Sequence, residues 1–250
     1  MNEPLIRVSD LAMGWDETTL LQDASFEVQR GEIFAILGGS GCGKSTLMRV
    51  LIGLEAPLAG HVAILGVGEP NLDVGRPPFG VMFQSGALFG SMTVGENVGL
   101  ALEEWTKLPH EAIGAIVSAK LRLVGLAGAQ DKLPSEISGG MKKRAAIARA
   151  LALEPSLVFL DEPSAGLDPI SAVELDELIV TLNGQLGLTV VLVTHDLPSI
   201  FKIVSRCIML DLQTKSIVAR GDPRELRDAS PDLPVKQFFN RTARTTTRDS

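Results

Sequence analysis

The run Gly38-Gly39-Ser40-Gly41-Cys42-Gly43-Lys44-Ser45 limits what this chain can fold into more than any other feature, because it fits the phosphate-loop pattern G-x-x-x-x-G-K-[ST]. Glycines let the backbone curl until several N–H groups face inward toward phosphate oxygens. The helix that follows adds positive partial charge where the anion sits. An apolar run, Ile33–Leu37, enters the loop and a helical stretch, Ser45–Ile52, leaves it, so the setting is strand, loop, helix. In such a loop Lys44 reaches the β- and γ-phosphates of a nucleoside triphosphate and the Ser45 hydroxyl ligates Mg²⁺, with Thr46 next to it in the cradle. Cys42 reads as a small filler side chain and not as a redox centre.

A second element completes this chemistry. Leu157–Leu160 is a hydrophobic strand that ends in Asp161 and Glu162. In an α/β sheet a buried strand delivers carboxylates at its C-terminal end beside the phosphate loop. Asp161 then suits Mg²⁺, through water, and Glu162 suits the role of general base toward the attacking water. Acids also follow strands as ordinary turn formers, so this pair takes its meaning from the loop.

Ser138-Gly139-Gly140-Met141 has the form of a serine cap and two glycines opening a helix over Met141–Leu153, which stops before Pro155. A second helix N-terminus is a second anion site, and one chain already grips its own triphosphate at residues 38–45. With these three motifs in this order, the chain resembles an ABC-type ATPase. In that family the serine-glycine segment closes over the γ-phosphate of ATP held by the partner subunit. The resemblance covers roughly residues 5 to 225 and implies ATP and Mg²⁺ as ligands, a homodimer and separate integral membrane permease subunits.

It also gives roles to further residues. Gln84 matches the glutamine that contacts Mg²⁺ or the lytic water and senses the permease. Ser164-Ala165-Gly166-Leu167-Asp168 matches the loop that spans the dimer seam, which brings in Asp168. His195, after the strand Val190–Val193, matches the histidine that bonds the γ-phosphate. A lone histidine after a strand is more often structural, but in register with five other motifs that preference reverses. Trp15 falls where the family stacks an aromatic on adenine, and the competing account is a core tryptophan; the chain has no tyrosine for the task. His61 and His110 match nothing and are expected to be exposed. Lys142-Lys143-Arg144 reads as a solvated helix face.

Two segments narrow the cargo. Phe83-Gln84-Ser85-Gly86-Ala87-Leu88-Phe89 is similar to ATPases of Mla-type, MCE-linked phospholipid transporters, and so is Met141 where many ABC ATPases carry glutamine. Glu154-Pro155, Asp168-Pro169-Ile170 and Pro231–Phe239 add to the likeness. It implies a lipid-binding MCE-type partner, leaves room for an accessory cytoplasmic subunit, and allows Leu233–Phe239 to reach the other protomer. Ala87, Leu88 and Phe89 are either permease contacts or core. The alternatives are an ABC transporter ATPase for another cargo, such as an amino acid, metal or lipoprotein, and a soluble ABC ATPase acting on ribosomes or DNA.

Alternating strand and helix signals predict an α/β fold with a largely parallel sheet. Leu5–Leu11 and Ser25–Val28 predict antiparallel strands at its edge. Helices are expected over Val94–Lys107, around Ile113–Val124 and around Leu175–Leu186 before Gly187. With no convincing strand between about 86 and 152, that span reads as a helical subdomain inserted into an ATPase domain of residues 1–225, followed by an extension, 226–250, whose polar tail from Asn240 is expected to be mobile. A net charge of −7 argues against wholesale nucleic-acid binding. No apolar stretch approaches the roughly 20 residues of a membrane-spanning helix, and MNEPLIRVSD lacks the form of a signal peptide. Two cysteines give neither a disulfide framework nor a metal cluster. The expected place is the cytoplasm, peripheral on the inner (plasma) membrane.

Overall fold

The computed structural model describes residues 3–15, 18–73 and 75–241, and the polar tail expected beyond Asn240 lies almost entirely outside them. In chain order its elements are β1 (Ile6–Trp15), β2 (Thr18–Val28), β3 (Ile33–Gly38), α1 (Lys44–Leu51), β4 (Ala59–Ile64), β5 (Gly80–Met82), α2 (Val94–Trp105) and α3 (His110–Leu123). They continue with α4 (Gly139–Ala150), β6 (Leu157–Asp161), α5 (Pro169–Leu186), β7 (Thr189–Val193), α6 (Leu197–Ile203), β8 (Arg206–Asp211), β9 (Ser216–Gly221), α7 (Pro223–Ala229) and α8 (Leu233–Asn240). The chain divides into two compact units, one of Met1–Gln29, Ile33–Pro70 and Val193–Ser250, the other of Arg30–Glu32 and Asn71–Leu192.

In the first unit β1 pairs antiparallel with β2 and with β4, giving the order β2-β1-β4. The two N-terminal strands expected at a sheet edge therefore form a sheet of their own. Their side chains alternate between buried and exposed, as a sheet with one covered face requires. Register shifts between Val8 and Leu11 mark a bulge at Asp10, where a φ of 49° is accommodated by a short polar side chain that accepts from Ser25 Oγ at 3.1 Å. β3 is buried at all its positions and runs parallel to β8, with Gly38 level with Leu210. β9 returns antiparallel along β8. On α8, Val235 and Phe239 are buried in their own chain, the latter ring 5.7 Å from Phe201.

In the second unit β5 and β6 are parallel, Met82 level with Leu160, and β7 follows β6 in the sheet order. The residues of β6 and β7 are buried throughout, as expected of strands covered on both faces. Helix α4 packs on β5, α2 and α3. Its approach to β5 leaves no room for a side chain at Gly80, where a Cβ would run into the Ala150 carbonyl. α2 starts at a capping box: Thr93 Oγ1 accepts from the Glu96 N–H at 3.2 Å and Glu96 Oε2 from the Thr93 N–H at 2.6 Å. α5 starts at Pro169 after an Asp168 cap, ahead of the Leu175 from which its spacing is legible, and ends at Leu186 before Gly187, the stop that spacing predicts.

Phe159 is the centre of this second core, 0% exposed, its ring meeting Phe79 edge to face at 5.4 Å. Phe159→Ala is expected to cost about 3–5 kcal/mol, read as a lowered urea midpoint at unchanged m-value.

Candidate functional site

The phosphate loop is built as its sequence requires. β3 delivers Gly38 with a φ of 147°, Gly41 and Gly43 follow with φ of 77° and 93°, and α1 begins at once. Gly38 has a packing role too: a Cβ there would stand 2.6 Å from the Leu210 carbonyl oxygen and 2.5 Å from Cys42 Sγ. The cap residue of α1 is Gly43, which offers no side-chain bond, and the first turn holds no acid. No carboxylate of the helix's own cap or first turn therefore competes for its N-terminus. Lys44 Nζ donates to Gly38 O at 3.0 Å and Gly39 O at 2.9 Å. An ammonium has three donors, so one remains for a phosphate oxygen. Ser40, Gly41 and Ser45 are exposed, whereas Thr46 is buried.

Cys42 is buried, and burial raises its thiol pKa; Cys207, buried likewise, is pushed up to about 12. Neither is a reactive thiolate, in keeping with a filler role. Trp15 ends β1 and is 50% exposed, so it is not a core tryptophan. Met13, two residues earlier on the same strand face, reaches Gly43 closely enough that a Cβ there would lie 2.9 Å from Met13 Cε. His195 is exposed after β7, and the phosphate loop shares a cavity of about 310 Å³ with Pro234, Gln237 and Phe238 of α8.

In the second unit β6 ends at Asp161, and both Asp161 and Glu162 are buried. Glu162 sits at a φ of 48°, uncommon for a residue with a Cβ. Its carbonyl accepts from Ala165 N at 3.2 Å, starting the turn that leads to Asp168. Asp168 Oδ1 accepts from Ile170 N and Ser171 N, both at 3.0 Å. The Ser171 hydroxyl, 2.5 Å from Asp168 Oδ2, holds this carboxyl below the usual aspartate range. Gln84 is exposed. Because Met82 is level with Leu160, Gln84 and Glu162 each leave the sheet two residues later, at the same end. Ser138 caps α4, its Oγ accepting from Met141 N at 3.2 Å, and Ser138 and Gly139 are exposed.

The solvated face expected for Lys142-Lys143-Arg144 is corrected by the structure. Lys143 is 7% exposed, and its Nζ donates to the backbone carbonyls of Gln84 and Glu162, the latter at 3.2 Å. Burial pushes its ammonium below the usual lysine range, offset in part by the Glu162 and Asp161 carboxylates. Arg144 pairs with Glu174 at 2.9 Å. Two further residues that pattern reading missed hold the loop after β5. Arg149 donates to Gly86 O at 2.8 Å and Ala87 O at 2.6 Å. Asn97, 0% exposed, donates to Phe89 O and accepts from Phe89 N at 2.7 Å. The signal for Lys143 was available: it shares a helical stripe with buried Ala146, Ile147 and Ala150. Ala87 and Phe89 are exposed, Leu88 half-buried, and His61 and His110 are exposed as expected.

No group of three or more His, Cys, Asp or Glu side chains among the described residues could hold a metal ion. Among the described residues no helix is long and apolar enough to cross a membrane.

The chain is similar to proteins already known. The family described as ABC transporter matches residues 21–165. The chain is 42% identical over 241 residues to the intermembrane phospholipid transport system ATP-binding protein MlaF of Escherichia coli K12, covering 94% of this chain and 88% of that protein. It is 40% identical over 240 residues to the "probable ribonucleotide transport ATP-binding protein mkl" of Mycobacterium leprae, covering 94% and 68%. Among solved structures, the dimeric post-hydrolysis state of the ATP-binding cassette MJ0796 bound to ADP and Pi superimposes with a TM-score of 0.76 at 28% identity, covering 87% of this chain and 98% of that one.

A Cβ at Gly39 meets nothing within 4 Å, so Gly39→Ala is expected to fold normally. A methyl inside the cradle should nonetheless weaken nucleotide binding about tenfold or more, read by titration with a fluorescent ATP analogue beside an unchanged melting curve. Gly38→Ala, blocked by the Leu210 carbonyl, should lower both.

Proposed function

This chain belongs to the ABC transporter family, and from that premise we propose that it is the ATP-hydrolysing subunit of a membrane transporter for phospholipid, working as a homodimer on the cytoplasmic face of the inner membrane. The observation that carries the reading is the identity to MlaF, which runs over 94% of the chain and not over a nucleotide motif alone. The mkl relative, named for ribonucleotide transport, is the reason cargo is put to a test below.

In this reading the backbone of Gly38–Ser45, with Lys44, grips the β- and γ-phosphates of one ATP, and Trp15 stacks on the adenine. Ser45, Gln84 and Asp161, the last through water, would hold Mg²⁺, which would supply positive charge to the phosphates, and Gln84 serves either that ion or the attacking water. Glu162 takes the proton of the attacking water, and His195 hydrogen-bonds the γ-phosphate. Ser138, Gly139 and Gly140 of the other copy close over the same phosphate, and Asp168 belongs to the turn at the seam. Two ATPs therefore hold two copies together, and loss of the shared γ-phosphate releases them. That is a ligand binding one of two states preferentially. Residues 1–225 form the ATPase domain, with 86–152 its helical insertion and 226–250 an extension. The exposed Phe89 and Ala87 suit a permease contact, and the wider assembly includes permease subunits, a lipid-binding MCE-type protein and room for an accessory cytoplasmic subunit.

Glu162→Gln is expected to bind ATP normally, to lose about 100-fold or more in turnover, and to accumulate as an ATP-dependent dimer by size-exclusion chromatography. Turnover near wild type would remove Glu162 from the base role. Lys44→Ala should lose ATPase activity, and an unchanged rate would refute its assignment. Purification with native membrane partners, followed by mass spectrometry of bound small molecules, tests the cargo: phospholipid supports it, ribonucleotide redirects it, and a ribosome or DNA in place of a permease overturns it.

A further inference from the structure

Helix α4 does more than present Ser138. Five residues into it, about 7.5 Å along its axis, stands Lys143, whose ammonium spans the main-chain carbonyls of Gln84 and Glu162. Gln84 is the residue matched above to Mg²⁺ or the lytic water, and Glu162 the one assigned to take that water's proton. Arg149, further along the same helix, takes the carbonyls of Gly86 and Ala87, so three residues of the loop after β5 hang on α4 by cationic donors. At the other acceptor, Glu162 holds a left-handed backbone. A residue with a Cβ persists there only where its surroundings over-determine it. The Ala165 N–H and the Lys143 ammonium both donate to its carbonyl.

We propose that Lys143 is a positioning residue that couples the water-directing pair Gln84 and Glu162 of one subunit to the Ser138 segment that caps the ATP of the other. The proposal rests on the functional reading above for what Gln84, Glu162 and Ser138 do. A carbonyl oxygen moves with its own peptide plane, so a donor that fixes both carbonyls fixes the directions in which both side chains leave the backbone. Ser138 and Lys143 belong to one stretch of helix, so when Ser138 seats on a γ-phosphate, the shift of α4 reaches both carbonyls through a single ammonium. The coupling runs both ways: a displacement of the loop at 84–87, where a permease contact would push, returns through α4 to Ser138. A neutral amide at position 143 has fewer donors to share between the two carbonyls and makes weaker bonds, and a thioether side chain has none.

The test uses the full-length chain and its ATPase kinetics, with Lys143→Arg, Lys143→Gln and Lys143→Met compared with wild type. The expected order of kcat is Lys, then Arg within about threefold, then Gln, with Met lower by about tenfold or more, while KM and the affinity for a fluorescent ATP analogue stay within about twofold throughout. Coupling is read from Ser138→Ala made alone and together with Lys143→Met. If the two act through one helix, the combined loss in kcat falls well short of the product of the single losses. Equal kcat across the series, a loss of nucleotide affinity matching the loss of kcat, or multiplicative losses in the double variant would each overturn the proposal. Should Lys143→Met not fold, the Arg and Gln variants decide: Arg above Gln at equal KM supports coupling, and equality or the reverse refutes it. A wild-type chain that binds ATP and does not hydrolyse it would bring down the functional reading and this inference with it. Wild-type hydrolysis unaffected by Lys143→Met strikes the inference alone.

Discussion

A triphosphate brings several negative charges into a small volume, and a protein that must release it after every turnover cannot hold it in a cage of fixed cations. Main-chain N–H groups are the alternative, and they converge only where a strand ends, turns through positive φ and starts a helix within a few residues. That constraint dictates β3, Gly38–Gly43 and α1. It also fits Gly38 being confined by Leu210 O and Cys42 Sγ while Gly39 has open space beside it: the first residue anchors the loop to its sheet and the second leaves room inside the loop. The buried thiol of Cys42 belongs to the anchor.

Arranging the reacting groups poses a different problem. Gln84 and Glu162 end neighbouring parallel strands, and a parallel ladder stops constraining the chain where its hydrogen bonds stop. Beyond Met82 and Leu160, something else must fix the backbone. The solution here is a helix laid against β5 so closely that Gly80 can carry no side chain, with Lys143 and Arg149 facing the strand ends. Burying a cation is costly unless it is well bonded. Burial indeed disfavours the charged form of both side chains. The backbone carbonyls they serve would otherwise be acceptors without a ladder partner, so the cations and the carbonyls satisfy one another.

Much of this was legible in the sequence, and what was not has a physical cause. The phosphate loop, the acids at the end of β6 and the Ser138 cap are local patterns, each set by a few adjacent residues, and the helices at 94–105 and 110–123 lie within a few residues of where apolar spacing put them, while that at 169–186 ends where expected and starts earlier, at the Asp168 cap. The antiparallel pairing of β1 and β2 was visible as alternation, but their membership of a separate sheet with β4 was not, because pairing partners are chosen by tertiary packing. Lys143 was misread for a related reason. Its acceptors lie 59 and 19 residues away in the chain, and a charged residue in a basic triplet suggests solvent unless helical phase is weighed first. Asn97 escaped notice likewise: a polar residue inside α2 is legible as a clasp on Phe89 only once the loop is seen folding back over it.

The two kinds of site differ in how far their sequence can speak for the transporter. Phosphate recognition uses backbone donors and a few fixed side chains, so any cargo can be driven by the same residues, and nothing between Gly38 and Ser45 distinguishes a lipid from a nucleotide as passenger. The loop after β5 is different. It is held from inside by Lys143, Arg149 and Asn97 yet leaves Phe89 52% exposed, an apolar side chain kept in solvent by bonds that fix its own backbone. An exposed aromatic on a mobile loop would fold back onto apolar neighbours. Holding it outward on a clasped backbone is what a docking contact requires. In the proposed reading, where Ala87 and Phe89 meet the permease, specificity for that permease, and through it for one cargo, is to be sought in residues 85–90 and not at the nucleotide.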